Sequence, residues 1–355
     1  MKILYLYTEV MGYTLATMRA LVQLGAEIEV VHWDQKKLTP YRVPPLPGIT
    51  MHPRSSMSNH SILALVATFN PNITVVSGWQ DDGYLLVCRK LRARRRPVVV
   101  GFDDQWHHTL RQRVAFVLAK FGYFDRFFSH AWVTGTRQFE YARRLGFSFN
   151  QIIYDLYSAD IDVFRDRSQL TKPTNASYAG KRFLFVGRLE PVKGLDTLVS
   201  AWNLLASSRR EWELCLIGDG SLAGKLQGID GLLVKGFMQP DQLVEELEAA
   251  ACFVLPSHRE PWGVVVHEFA AAGLPLLLSD AVGAGDAFLI PGLNGSLFRA
   301  GNVDDLAAKM SWMMNRSDTE LGAMALWSSR LADRITPLTS AANLLSLVST
   351  NSIEV

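Results

Sequence analysis

Residues 256–275, PSHREPWGVVVHEFAAAGLP, restrict the possible folds of this chain more than any other stretch. The apolar run 252–255 stops at Pro256, a short polar turn runs to Pro261, and a helix-like segment, 263–272, is closed by Gly273 and Pro275. Strand, loop and helix in that order belong to an open parallel sheet, in which such a loop lies at the carboxyl end of a strand, where ligands bind. The N–H groups of the first helical turn, at Gly263, Val264 and Val265, are suited to a phosphate. Glu260 and Glu268, with seven residues between them, bracket that turn. A glutamate near a helix start is more often a solvated residue favoured by the dipole than a ligand group, so the pair takes its meaning from the string around it.

The same unit recurs along the chain. In the first half, 3–7 reads as a buried strand, 12–24 as a helix with Leu15, Met18, Leu21 and Val22 on one face, and 28–31 as the next strand. An irregular, proline-rich stretch at 33–53 precedes helices at 58–69, 82–93, 113–128 and 137–145, which alternate with strands at 73–76, 98–100, 131–134 and 152–153. The second half repeats the alternation: strands at 183–186, 214–217, 232–234, 252–255 and 276–278, with helices at 195–205, 241–250 and 263–272. Asn294-Gly295 is a hairpin signal, and helices at 303–314, 320–331 and 338–348 finish the chain. The polar stretch 172–180 marks a boundary. The expected division is 1–172, 173–334 and a closing helix in 335–355.

At 355 residues, 48% of them apolar and 20% charged, the chain is long enough for two α/β domains with large cores. The net charge of +2 hides an asymmetry: residues 1–170 hold 21 Lys and Arg against 14 Asp and Glu, and the remainder 15 against 20. A basic first half suggests an acidic partner on that side. Its densest run, RKLRARRR at 89–96, ends the helix 82–93. Cations suit a helix C-terminus, and anionic lipid headgroups would favour the same run by about 1 kcal/mol per basic residue. No nucleic-acid motif accompanies it, so nucleic acid is not expected as a partner. Cys88, Cys215 and Cys252 form no CxxC and read as reduced core thiols of a cytoplasmic protein rather than metal ligands. KILYLY after Met1 reads as a first strand, not a signal peptide, and no apolar run approaches membrane-spanning length.

The string Glu260-Pro261-Trp262-Gly263, followed by Glu268-Phe269-Ala270-Ala271-Ala272-Gly273-Leu274-Pro275, resembles the donor-site motif of the retaining glycosyltransferases of family 4, which have the GT-B fold. A second string, Gly187-Arg188-Leu189-Glu190-Pro191-Val192-Lys193-Gly194, resembles that family's diphosphate-binding loop. Gly218-Asp219-Gly220 and Lys235-Gly236-Phe237-Met238 resemble its glycine turn and its base-framing segment. Tyr154-Asp155-Leu156-Tyr157-Ser158-Ala159-Asp160-Ile161-Asp162-Val163-Phe164 resembles its hinge, although Ser158-Ala159 replaces the usual Gly-Val. The likeness is strong over 183–298 and weaker in the first half.

The resemblance implies two facing Rossmann-like domains with parallel sheets and a C-terminal helix that crosses back to the first. It implies hexosyl transfer, with retention, from a nucleoside-diphosphate sugar to a glycan or lipid-linked acceptor in cell-envelope polysaccharide assembly. Neither a metal nor a further cofactor is implied. Arg188 and Lys193 take the diphosphate, where fixed cations stabilise the charge of the leaving group; Glu260 takes sugar hydroxyls and Glu268 the ribose. Gly12, Gly187, Gly218, Gly236, Phe237, Ser257, Trp262, Gly263, Val264 and Val265 complete the donor site. Of the usual glycine pair in the first loop only Gly12 is present, and the usual acceptor-side His-Asp is replaced by Asp103-Asp104. The acceptor-side group is left open among Asp103, His107 and His108. Asp160-Ile161-Asp162 matches the metal-binding DxD of a different transferase fold, but its place in a linker argues against that role. Rival readings are another GT-B enzyme, such as a nucleotide-sugar epimerase or a phosphorylase, or a non-catalytic sugar-nucleotide-binding subunit. The setting expected is cytoplasmic, peripheral on the inner face of a membrane.

Overall fold

The computed structural model describes residues 1–35, 40–165 and 181–349. The chain divides into two units, Met1–Ser158 with the stretch from Pro337, and Ala159–Thr336. The boundary anticipated at 172/173 lies outside the described residues.

In the first unit seven strands, β1 (Lys2–Tyr7), β2 (Glu27–His32), β3 (Ile49–Pro53), β4 (Ile73–Ser77), β5 (Val98–Phe102), β6 (His130–Val133) and β7 (Ile152–Ile153), pair in the order β3-β2-β1-β4-β5-β6-β7. Every pairing is parallel. Helices cover both faces, which is why the strands read as near-continuous apolar runs. Alternation still sorts their side chains. Leu4, Leu6, Val98 and Val100 enter one core with the helices Asn59–Phe69, Asp82–Ala93, Leu110–Lys120 and Thr136–Arg144. Ile3, Tyr5, Tyr7 and Val99 enter the other, with the helix Gly12–Gln23. That second core is completed by Ala341, Leu344 and Leu347 of the closing helix, Pro337–Ser349, whose Ser340 accepts a buried hydrogen bond from Thr17 at 3.2 Å. The C-terminal helix therefore belongs to the first sheet, as the GT-B resemblance implied.

Six parallel strands build the second unit: β8 (Arg182–Val186), β9 (Glu213–Ile217), β10 (Leu232–Lys235), β11 (Cys252–Leu255), β12 (Leu276–Ser279) and β13 (Gly295–Phe298), in the order β10-β9-β8-β11-β12-β13. The order reverses between β8 and β11, so the loops leaving those two neighbours part to opposite faces and open a crevice at the carboxyl edge. Below it the core is aromatic. Phe253 stacks on Phe269 with centroids 4.6 Å apart, and Phe183 packs against Trp212 at the same separation.

Four sequence expectations are corrected. Residues 33–53 are not wholly irregular, since 49–53 is the edge strand β3, half-exposed and ended by Pro53, where the missing N–H is tolerated. The helix anticipated at 113–128 begins earlier, at Leu110, because Thr109 and Gln112 form a reciprocal capping box. It ends at Lys120 because Gly122 supplies a left-handed residue, φ 66°, beyond the last turn. The helix anticipated at 241–250 stops at Glu245. Asn294-Gly295 makes no hairpin: Gly295 opens β13, which runs parallel to β12, and Asn294 is fully buried. A Cβ on Gly295 would lie 1.9 Å from the Leu276 carbonyl oxygen, so the glycine serves a strand contact rather than a turn.

The three cysteines, on the helix Asp82–Ala93, β9 and β11, are buried and unpaired with one another. Burial pushes the Cys88 thiol up to about 12 and raises those of Cys215 and Cys252.

Candidate active site

Within the second unit the crevice is built by two loops, 187–194 after β8 and 256–263 after β11, and glycines let them meet. A Cβ on Gly194, whose φ is 68°, would lie 2.0 Å from the Pro256 carbonyl oxygen. The His258 N–H donates to the Val192 carbonyl at 2.9 Å, closing the same contact. Next door, a Cβ on Gly218 would lie 2.0 Å from the Gly187 carbonyl oxygen. The spacing of these glycines is thus a packing requirement between adjacent loops.

This approach brings Lys193 to Glu260. The Lys193 ammonium pairs with Glu260 Oε2, and Ser257 Oγ donates to the same oxygen at 3.1 Å. Both members of the pair are largely shielded, 15% and 11% exposed in their side chains. The Arg188 side chain, by contrast, is exposed and makes no hydrogen bond or ion pair among the described residues. The site thus holds one cation already matched by a carboxylate and one cation open to an anion.

Glu260 ends a loop held from behind. The Ser257 carbonyl accepts from Ser279 Oγ at 2.6 Å, the Glu260 carbonyl from the Gly283 N–H at 3.1 Å, and the Trp262 carbonyl from the Ala284 N–H at 2.9 Å. Trp262 itself is 3% exposed and packs edge-on against Phe288, so its backbone, not its indole, faces any ligand. Gly263, φ 90°, then turns the chain into the helix Val264–Ala271. The first N–H groups of that helix have no intrahelical acceptor.

Glu268 is half-buried on the second turn. Burial, with the nearby Asp160 carboxylate adding to it, raises its carboxyl from 4.5 to about 7. Asp160 thus lies beside the helix Val264–Ala271 within the second unit. Among the described residues no group of three His, Cys, Asp or Glu is arranged to hold a metal ion.

Several residues that sequence reasoning passed over organise the site. His267, fully buried, accepts from the Ala159 N–H through Nδ1 at 3.0 Å and donates through Nε2 to the Ala332 carbonyl at 2.9 Å. Burial lowers its pKa to about 4, so it stays neutral as a fixed tautomer. Asp219 accepts from the Phe237 N–H at 3.3 Å, tying the segment at Gly236 and Phe237 to the turn after β9. Glu190 accepts from Ser221 Oγ at 2.6 Å and from its N–H at 3.0 Å, which bolts the Arg188 loop to the same turn. A polar residue in the middle of a cationic motif was the only sequence hint of that bolt.

Gly12, Asp103 and His107 belong to the first unit. Gly12 starts the helix Gly12–Gln23, and a Cβ there would make ordinary contact with Tyr41. The Asp103 carbonyl accepts from Gln138 at 2.8 Å, and its carboxylate adds to the burial that pushes the Tyr7 and Tyr157 phenols up. The His107 N–H donates to Gln112 Oε1 at 2.7 Å, and its Nε2 lies 3.9 Å from Asp104. His108 is engaged differently, as acceptor for Trp106 Nε1 at 3.0 Å. Gln112, buried and bonded to Asp104 and to the Gln105 carbonyl, orders this loop.

Residues 166–323 match the family model described as "Glycosyl transferases group 1". That stretch of the chain, which lies within the second unit, is similar to the glycosyl transferases group 1 family. The chain is also similar to the D-inositol 3-phosphate glycosyltransferase of Acidothermus cellulolyticus, 28% identical over 241 residues that make up 53% of this chain and 52% of that one. The first curated relatives are matched over only about a third to a half of their own length, 31%, 52% and 32%. Solved structures match end to end. HepE from Anabaena, solved with UDP, is 18% identical with a TM-score of 0.73, covering 99% of this chain and 100% of that one. The lipopolysaccharide outer core galactosyltransferase WaaB is 18% identical with a TM-score of 0.68 over the same shares, 99% and 100%. The chain therefore has the GT-B fold.

Proposed function

We propose that this protein is a retaining glycosyltransferase that moves a hexosyl group from a nucleoside-diphosphate sugar to a glycan or lipid-linked acceptor. The observation that supports it most is the crevice at the strand-order reversal of the second unit, where exposed Arg188 and the Lys193–Glu260 pair flank the N-terminus of the helix Val264–Ala271. As the sugar–oxygen bond breaks, its electron pair goes to the leaving diphosphate. Exposed Arg188, shielded Lys193 and the helix N–H groups meet that charge with fixed donors, which lower the barrier. Glu260 turns to sugar hydroxyls and Glu268 to the ribose; Gly263, Val264 and Val265 supply the surface between them, with buried Ser257 and Trp262 behind it. Gly187, Gly218, Gly236 and Phe237 shape the nucleoside side. Gly12 is proposed for the donor, and Asp103 and His107 for the acceptor side.

Two fixed cations in the diphosphate place make a divalent metal unnecessary. HepE was solved with UDP, which makes UDP-sugars the first donors to try. WaaB acts in the lipopolysaccharide outer core, consistent with a cell-envelope acceptor in a cytoplasmic, membrane-peripheral setting. The test is release of UDP from a panel of UDP-sugars, with and without candidate acceptors, followed by the anomeric configuration of the product. Turnover should survive EDTA and fall about 100-fold or more in Arg188→Ala, with an unchanged melting temperature because Arg188 is exposed. EDTA inactivation reversed by Mn²⁺, or full turnover in folded Arg188→Ala, would remove the diphosphate role from these cations. Interconversion of the donor sugar without transfer would make the protein an epimerase.

A further inference from the structure

The helix Leu110–Lys120 inverts the usual economy of a surface helix. It buries only Gln112 and Ala115, while Leu110 and Phe121 are 79% and 80% exposed, and Val114 and Val117 are 52% and 51% exposed. With Leu118 these residues are spaced by four, three, one and three positions, so they form one stripe along the helix. An apolar stripe of this kind, continuous and rimmed by charge, marks a contact surface rather than scattered exposure. The helix's own rim is basic: Arg111, Arg113 and Lys120 are exposed and no acidic residue occurs from 105 to 124, with exposed Asp125 just beyond it.

Topology extends the basic rim. The run 89–96 ends just before β5 and the turn at 121–126 just before β6, and β5 and β6 are paired neighbours, Val99 opposite His130. Exposed Arg94 and Arg95 therefore share the amino edge of the sheet with Lys120, Phe121 and Arg126. The charge of Arg92 is felt at His130, adding to the burial that lowers that imidazole to about 4.

We propose that the helix Leu110–Lys120 and Phe121 are the surface by which this protein lies on a bilayer containing anionic lipid, with the stripe inserted among acyl chains and the basic rim on the headgroups. The inference rests on the reading that the acceptor is lipid-linked, and it names the docking element. A nucleic acid would satisfy the arginines and leave five large apolar side chains in water. A second copy of the chain would place one basic rim against another, a costly juxtaposition. An interfacial helix with apolar and cationic sides meets both needs at once.

Flotation of the full-length protein with phosphatidylcholine vesicles, with and without phosphatidylglycerol, tests this. Binding to the anionic vesicles is expected, reduced but not abolished by high salt, because screening acts on the rim and not on the inserted stripe. Val117→Glu with Phe121→Glu should lower the bound fraction at least about tenfold, as expected from losing two buried apolar side chains. UDP-sugar hydrolysis, read in parallel, should be unchanged, which keeps the docking claim separate from the enzymatic one. Normal flotation of that variant, with loss instead in Arg94→Ser with Arg95→Ser, would overturn insertion in favour of the basic run alone. No flotation of hydrolytically active wild type would overturn docking while leaving the donor chemistry standing. A concentration-dependent dimer abolished by the glutamate substitutions would assign the stripe to self-association.

Discussion

At the scale of single residues, the Lys193–Glu260 pair sets a competition. Under the proposed function, a diphosphate would have to take Lys193 from the carboxylate that holds it. Glu260→Gln removes that competitor while keeping the shape, so we expect UDP to bind tighter, by up to about tenfold at a partly shielded pair, while sugar transfer is lost. Isothermal titration with UDP, set beside turnover, reads both; weaker UDP binding would mean that Glu260 orders the loop instead of occupying its cation. Glu268 gives a pH prediction whose sign is fixed. Its carboxyl titrates near 7 in the folded chain against 4.5 for an ordinary glutamate, so the folded state holds the proton more tightly between those values. Its contribution to stability is complete below about 4.5 and is lost as pH rises through about 7. Glu268→Gln should therefore gain in melting temperature relative to wild type between pH 5 and 8. His267 works in the opposite sense, losing stability as pH falls from about 6.5 through 4, but it is present in both proteins and cancels in the difference. A pH-independent difference would place Glu268 in a more solvated state. Arg188, Lys193, Glu260 and Glu268 stood out in the sequence only through family resemblance, because a pair of glutamates or two basic residues in a loop is ordinary by itself. His267 did not stand out, since its partners lie 108 and 65 residues away.

At the scale of elements, what could be read depended on burial. Strands covered on both faces announced themselves as apolar runs, whereas β3, half-exposed at the edge and broken by Thr50, His52 and Pro53, did not. Asn294-Gly295 misled for a physical reason, because the pair that favours a type I′ turn serves equally well as a buried hydrogen-bonding hub followed by a close strand contact. Asn294 donates to the Phe288 carbonyl at 2.9 Å and to Ser328 Oγ at 3.1 Å, and accepts from the Ile290 N–H at 2.8 Å. Asn294→Ala strands two backbone groups in the core and should cost about 3 kcal/mol, seen in chemical denaturation of the second unit without a change in the KM for donor. A variant as stable as wild type would show that water replaces the amide.

At the scale of the whole molecule, the chain returns to its first sheet at the end, and that return is structural. Ala341, Leu344 and Leu347 fill the core against Leu15, Met18 and Leu21. A chain stopped after Thr336 should therefore lose the calorimetric transition of the first unit, or aggregate, while the second unit still melts cooperatively. Two intact transitions in the shortened chain would show the helix to be dispensable. The alternation of strands and helices made the two-unit plan readable from composition and period. The role of the last helix came only through family resemblance, because its apolar positions, taken alone, fit either sheet.

The placement of the cysteines turns the protein into its own stopwatch. Cys88 sits in the first unit and Cys215 and Cys252 in the second, each sealed from solvent, with the reactive thiolate suppressed by burial. An alkylating reagent can reach them only when the surrounding unit opens, so the rate of labelling at each position counts opening events. Peptide mapping would then time the two halves separately in one native sample, without denaturant, dye or engineered probe.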